Sequence, residues 1–445
     1  MMKNIVFETS LGPVEGWRDG NVVRATGIPY AKASRYHLPE EVAISPLPFP
    51  AGKKSPACPQ NPSRKTRALL GRDILEGITL TEDCQYLSIT LPGIPPPPSG
   101  WPVMVWVYGG SYTSGAGDSP VYDPYPLVEE NEVIVVSINY RLGVMGFLGG
   151  YHNIPANLGL LDIMAALKWI QKHIPAFGGD PGNVTLFGQS AGGDAIAHLM
   201  LAEDVGELFH KVIIQSAPLG IRKNRAAMIR KMISHAITTA GSADIEDLLK
   251  LQSDLVLSMK RFGIKGGMPF GVQYGHYPLP PEKDAEKIWR QRSGQWKVLI
   301  GWTERETSVF VPFDKKLKAV GRIPGLGKPV LEWLIRKTTD RIYRNPGKVF
   351  ASDIAAGGGV VYRYSIHWGD RNSGIRAAHI SDISLLFGRK GLWESSAFSQ
   401  GKSPEELEQA GREIRQIWCR FARTGALDEH RKIPGIIEYR RVHAS

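Results

Sequence analysis

Gly188-Gln189-Ser190-Ala191-Gly192 is the segment of this sequence best equipped for chemistry. A serine hydroxyl becomes a usable nucleophile when a sharp turn lifts it clear of the sheet beside a base, and small flanking residues let the backbone pass close. G-x-S-x-G is common by chance, so its setting decides. Here the apolar run Val184 to Gly188 precedes it and a helix-compatible run from Ala191 to Ala202 follows directly. Strand, tight turn and helix in that order make a nucleophile elbow, in which Ser190 attacks an acyl carbon and carries the acyl group covalently. The alternative is a glycine-rich turn with an inert serine. Attack on a carbonyl also needs N–H donors for the oxyanion. One is expected from the residue after the serine, Ala191, and the others from a glycine-rich loop after an earlier strand. Tyr108-Gly109-Gly110-Ser111-Tyr112 stands in that position.

The elements that must hold these residues are legible as apolar runs. Val103 to Gly110, Val133 to Tyr140, Val184 to Gly188, Lys211 to Ala217, Trp296 to Trp302 and Val360 to Trp368 read as strands. They do not alternate polar and apolar, which suits strands covered on both faces in a parallel sheet. Leu158 to Ile174 and Ala191 to Ala202 read as helices between them. The predicted architecture is α/β, with a mostly parallel central sheet flanked by helices in one domain over residues 1–445. Residues 220–295 and 310–358 are mixed, basic and weakly periodic, and read as cap-like insertions over one end of the sheet. A final helix starts at Ser403-Pro404-Glu405-Glu406, an N-cap with a capping-box glutamate, and stops at Gly425. Pro95 to Pro98 form an extended connection.

Composition narrows the class. With 42% hydrophobic and 22% charged residues over 445, the chain builds a large core and is not intrinsically disordered. It has no apolar run of the length a membrane-spanning helix needs. Three cysteines make no disulfide scaffold, and cysteines and histidines show no metal-ligand spacing. The N-terminus carries one lysine and no signal-length apolar run, so the chain is expected to be cytoplasmic, or secreted if already trimmed. Charge is uneven: residues 1–200 hold 14 basic and 17 acidic side chains, the remainder 40 and 26. A basic half attracts nucleic acid, anionic membranes or acidic substrates. No nucleic-acid signature accompanies Lys315, Lys316, Lys318, Arg336, Lys337, Arg341 and Arg344, and a solvated basic face is the reading adopted, with peripheral contact to anionic membrane as the alternative.

Further segments extend the pattern: Gly27 to Ala31, Glu82 to Ile89, Val107 to Gly115, Asn139 to Leu148, Ala176 to Gly193, His379 to Gly388 and Trp418 to Gly425. Together, and in this order, they resemble the type-B carboxylesterases, the carboxylesterase and cholinesterase family of α/β-hydrolases. The resemblance covers most of the chain. It implies hydrolysis of carboxylic esters, without cofactor or metal, on a small-molecule substrate. It puts the triad acid at Glu306, through the match of Thr307, Ser308 and Phe310 in GWTERETSVF. It puts the histidine at His379, through Asp382, Phe387 and Gly388. Asp382, three residues beyond the histidine, is a third candidate acid but lies too near it in sequence to be preferred as its orienting partner; periodicity alone does not choose between Glu304 and Glu306, and a lone histidine among 11 is usually structural. The order Ser190, Glu306, His379 is that of α/β-hydrolases. The implied oxyanion hole is the N–H groups of Gly110, Ser111 and Ala191. Lipid-interface lipolysis, or amide, carbamate or lactone hydrolysis by the same triad, is the alternative activity; a non-enzymatic interaction protein on this fold is the other class.

Four features bear on the expectation. Ser111 stands where the family usually has glycine or alanine. Cys58 and Cys84 match a pair the family often bridges, and here the bridge or two thiols are both open. Glu82 and Arg141 match positions engaged in structural ion pairs and are not counted as catalytic. The acid-to-histidine interval is short, so the covering region is reduced.

Overall fold

The computed structural model describes residues 5–43, 47–237, 244–389 and 391–444. Residues 1–4 and six residues of the 220–295 insertion, 238–243, lie outside the described residues. In chain order the strands are β1 (Ile5–Thr9), β2 (Gly12–Asp19), β3 (Val22–Pro29), β4 (Phe49–Pro50), β5 (Tyr86–Pro92), β6 (Trp101–Val107), β7 (Ile134–Ile138), β8 (Gly179–Gln189), β9 (Lys211–Gln215), β10 (Lys297–Thr303), β11 (Val361–Ile366), β12 (His430–Ile433) and β13 (Ile437–Val442). They form one sheet in the order β1-β2-β3-β5-β7-β6-β8-β9-β10-β11-β13-β12, with β4 beside β2.

The six runs read as strands are β6 to β11, and they are the parallel centre, β7-β6-β8-β9-β10-β11. Every residue of β6, β7 and β9 is buried, which is why their sequences carry no alternation. The whole sheet is mixed: β1, β2, β3 and β5 add antiparallel strands on one side, and β13 and β12 on the other. These flanks show a broken alternation of buried and exposed residues, as in β2 and β13, because one face meets water. β2 and β3 are joined by Gly20-Asn21, a two-residue hairpin loop with Gly20 in the left-handed region.

Register gathers the strand ends. Val107 of β6 lies opposite Gly188 of β8, Gln189 opposite Gln215 of β9, and Gln215 opposite Gly301 of β10. The loops leaving β6, β8, β9 and β10 therefore open at one edge, the carboxyl end where open α/β sheets place their ligands. Helix Leu158–His173 packs almost wholly buried against the sheet. Helix Pro404–Thr424 starts with the expected capping box at Ser403 and Glu406 and ends at a left-handed Gly425. It buries Ile414, Ile417, Trp418 and Phe421.

The two insertions lie between strands and are mostly helical. Helices Ala226–Ala236, Ile245–Ser258 and Ala285–Gln291 separate β9 from β10. Helices Lys315–Gly321, Gly327–Thr339 and Asn345–Ala356 separate β10 from β11. Their periodicity was obscured because apolar residues occupy more than one face: in Gly327–Thr339, Ile335 is buried while Val330 and Trp333 are exposed. Cys58, Cys84 and Cys419 are buried thiols. The structure holds Cys58 and Cys84 unbridged, with Cys58 Sγ accepting the Leu142 N–H at 3.3 Å. Hydrogen bonding to Cys58, together with burial, pushes the Cys84 thiol well up. Glu82 pairs with Arg35, and Arg141 forms a buried two-pronged pair with Asp162, so both serve the scaffold.

Candidate active site

Ser190 sits between β8 and helix Ala191–Leu199 with φ 58° and ψ −122°, outside the regions a non-glycine residue ordinarily occupies. Three contacts hold the turn. The Ser190 N–H donates to the Gln215 carbonyl at 2.8 Å, and the Asp194 N–H donates to the Ser190 carbonyl at 2.9 Å. Gly192 lies so close to β6 that a Cβ there would come within 1.9 Å of the Val107 carbonyl oxygen. The G-x-S-x-G glycines thus answer to close backbone approach, and the elbow expected at Gly188 to Gly192 is formed.

The loop after β6 passes over the elbow. A Cβ on Gly109 would stand 3.0 Å from Ser190 Cβ and 2.5 Å from the Gln189 carbonyl oxygen. Ser111 and Tyr112 are both left-handed, with φ 57° and 61°. Among the described residues, no internal acceptor takes the N–H groups of Gly110, Ser111 or Ala191. Three adjacent backbone donors beside a strained serine make a cradle for a negatively charged oxygen.

His379 meets the acid loop after β10. Its backbone N–H donates to the Glu306 carbonyl at 3.1 Å, and its Nδ1 donates to Glu306 Oε2 at 2.5 Å. Glu306 is wholly buried, and its other oxygen accepts the Thr303 N–H at 2.8 Å. The Tyr343 ring, from the insertion before β11, packs on the imidazole at 5.2 Å between centroids. With Nδ1 protonated toward Glu306, Nε2 is the acceptor. Facing Nε2 at 3.2 Å is the side-chain nitrogen of Gln189, the residue before Ser190. Among the described residues no hydrogen bond links Ser190 Oγ to His379; the Gln189 amide is the group that meets Nε2.

The rival acids are elsewhere. Glu304 is part-exposed and faces Arg376 at 3.4 Å and His367 at 3.7 Å; hydrogen bonding to His367 holds its carboxyl below the usual range. Asp382 is buried and accepts from Gln215 Nε2 at 2.7 Å, while Trp418 Nε1 donates to Gln215 Oε1 at 3.2 Å. Burial pushes the Asp382 carboxyl up to about 6, with Gln215 pulling it down and Glu306 pushing it further up. Gln215 therefore joins the serine N–H, Asp382 and the last helix. Gln215, Gln189, Tyr343 and Asp194 went unread in the sequence; only Gln189 and Asp194, inside or beside the elbow motif, carried a positional signal. Among the described residues no group of three or more His, Cys, Asp or Glu side chains could hold a metal ion, and no helix is long and apolar enough to cross a membrane.

A mixed sheet flanked by helices, with an elbow serine and an acid–histidine pair at its carboxyl edge, defines an α/β-hydrolase of the serine esterase class. The model for the Carboxylesterase family matches residues 3–322. The para-nitrobenzyl esterase of Bacillus subtilis is 32% identical over 456 residues, covering 95% of this chain and 91% of that protein. A probable N-octanoylanthranilate hydrolase of Rhodococcus erythropolis is 32% identical over 437 residues, covering 95% and 94%. A solved structure of a PNB esterase superposes with a TM-score of 0.78 at 30% identity, covering 96% of this chain and 92% of the other. The chain belongs to the carboxylesterase family, and it is a carboxylic ester hydrolase.

Proposed function

We propose that Ser190, His379 and Glu306 are the catalytic triad of this esterase and that Gly110, Ser111 and Ala191 supply its oxyanion hole. The observation that carries the reading is the buried 2.5 Å bond from His379 Nδ1 to Glu306, beside the strained serine. Substrate entry swings the Gln189 amide off Nε2, and the Ser190 hydroxyl takes its place. His379 then accepts the serine proton as Oγ attacks the ester carbonyl. The carbonyl oxygen becomes an alkoxide held by the three N–H groups. Its collapse breaks the bond to the alcohol, which leaves with the proton from His379. Glu306 keeps the imidazole tautomer and stabilises the imidazolium. Water repeats the sequence on the acyl-enzyme and releases the acid. No step calls for a metal or an organic cofactor. Residues 1–445 act as one catalytic domain, with 220–295 and 310–358 covering the strand ends.

Substrates are proposed to be small uncharged esters. The segment between Cys58 and Cys84 has no aromatic residue and four basic ones, Arg64, Lys65, Arg67 and Arg72, so it offers no ring face to a quaternary ammonium. A second reading, cleavage of an N-acyl bond by the same triad, is favoured by the name of the N-octanoylanthranilate hydrolase relative. Ser190→Ala tests both: turnover should fall about a million-fold while the fold survives. Purified variant retaining several per cent of activity would remove Ser190 as nucleophile, and an ester and anilide panel on wild type then separates the two bonds.

A further inference from the structure

We propose that the helix pair Lys315–Gly321 and Gly327–Thr339 docks this enzyme onto an anionic lipid surface. The pair is closely joined: a Cβ on Gly327 would approach the Val320 carbonyl oxygen to 2.4 Å. Its inner face rests on the acid loop. Thr307 Oγ1 donates to the Ile335 carbonyl at 3.1 Å, Arg305 pairs with Glu332 at 2.5 Å, and Ile335 and Thr339 are buried.

The outer face is apolar where water should favour polar groups. Leu326 at the helix cap is 69% exposed, Val330 43% and Trp333 50%, spaced four and three apart on the side opposite Ile335. Ile323, in the turn between the two helices, is 51% exposed, and Phe310, in the 3-10 turn packed against both, is also 51% exposed. Scattered single apolar residues need no explanation, but a continuous row with a tryptophan in it does. Residues 310–339 also carry seven basic side chains (Lys315, Lys316, Lys318, Arg322, Lys328, Arg336 and Lys337) against two acidic ones, Asp314 and Glu332. All seven are exposed, and among the described residues none forms an ion pair. Asp314 is occupied as the cap of Lys315–Gly321 and Glu332 by Arg305. Arg344, which the sequence groups with these, instead pairs with Asp340 and donates to the Glu304 carbonyl.

Exposed tryptophan and aliphatic side chains bordered by unpaired lysines and arginines fit the boundary of a bilayer, where rings and methyls enter the headgroup region and cations meet anionic lipid. A second copy of this chain fits less well, because a two-fold contact would set seven cations against seven. Nucleic acid would leave the Leu326–Val330–Trp333 row unused. Docking there brings the acid–histidine side of the site to esters dissolved in the lipid surface.

The test is co-sedimentation of the purified full chain with phosphatidylcholine vesicles, with and without phosphatidylglycerol. Binding should be at least about ten-fold stronger with phosphatidylglycerol and should weaken as salt rises. The pair Leu326→Ser/Trp333→Ser, and separately Lys315→Glu/Lys316→Glu/Lys318→Glu, should each lower it by about ten-fold or more. Both variants should hydrolyse a short soluble ester at the wild-type rate, which also shows that they fold. Ser190→Ala should bind vesicles as wild type does, so failure of the hydrolytic reading would leave this result standing. Equal binding to both vesicle types, no binding, or full binding by either multiple variant overturns the proposal. A concentration-dependent dimer abolished by Leu326→Ser/Trp333→Ser, without vesicle binding, would overturn it in favour of a second copy.

Discussion

Glu306 has both carboxylate oxygens engaged away from water, one by the Thr303 N–H and the other by His379. An amide in its place can present a donor where His379 needs an acceptor, and so favours the wrong imidazole tautomer. Glu306→Gln should keep the fold and lower turnover by up to about ten-thousand-fold. Glu304→Gln loses part-exposed pairs with Arg376 and His367, and should stay within about five-fold of wild type, since such pairs are worth about 1 kcal/mol or less. Turnover of both variants on one ester at neutral pH decides; a crippled Glu304→Gln, or a crippled Asp382→Asn beside an active Glu306→Gln, reassigns the acid. Asp382 makes a separate pH prediction. Its carboxyl, pushed up to about 6 by burial, holds its proton more tightly in the folded chain than in the unfolded one. That contribution to stability is complete below about pH 4 and is lost as pH climbs through about 6. Asp382→Asn lacks this slope, so its Tm should gain on that of wild type from about pH 4 to neutrality. A difference that stays flat across the window would mean that Asp382 ionises as freely folded as unfolded.

At the scale of elements, the loop after β6 needs an anchor. Two successive left-handed non-glycine residues, Ser111 and Tyr112, cost about 1–3 kcal/mol each. Two bonds meet that strain. The Gly143 N–H donates to the Tyr112 carbonyl at 2.7 Å, and the Tyr112 hydroxyl donates to Asp194 Oδ2 at 2.7 Å, out of water. Asp194 lies in the first turn of the helix that follows Ser190, so the second bond ties the loop after β6 to that helix. Tyr112→Phe should lower stability by about 1.5–3 kcal/mol, the range for a hydrogen bond to a charged group. If Gly110 and Ser111 hold the oxyanion, it should also lower kcat by about ten-fold with KM little changed, since the loss falls on the transition state. Denaturant unfolding and steady-state kinetics on the same preparation check this. A variant that loses stability but keeps kcat would confine the bond to the scaffold.

Over the whole molecule, charge and chemistry are separable. The donors proposed to act on a neutral ester are backbone groups beside a buried acid, whereas the excess of basic side chains lies mainly beyond residue 200. Surface fields fade within about 8–10 Å at physiological ionic strength. Turnover of a soluble neutral ester should therefore change by less than about two-fold between low and moderate salt. A several-fold change, read from initial rates, would show that the basic half takes part in catalysis or substrate delivery.

What the sequence determined by itself was local. Central strands announced themselves because strands covered on both faces are mostly apolar, although β11 alternates, with Arg363 and Ser365 only part-buried. The elbow was legible because its turn, its close backbone approach and its helix start occupy one short stretch, Gly188 to Gly193. The last helix was legible from Ser403 to Gly425 because caps and stripe are neighbours in the chain. The acid and histidine were reached through family motifs, since no spacing rule joins two residues 73 apart. The tertiary structure alone decided that Gln189 from β8 and Tyr343 from an insertion lie against His379, and that Asp382 is held by Gln215 of β9. It also sorted the basic residues, pairing Arg344 internally and leaving Lys315 to Lys337 to solvent. The reason is physical. Burial and helix spacing act along the chain and leave a pattern in it, whereas hydrogen bonds and ion pairs across the strand ends depend on sheet order and register, which bring distant segments to one edge.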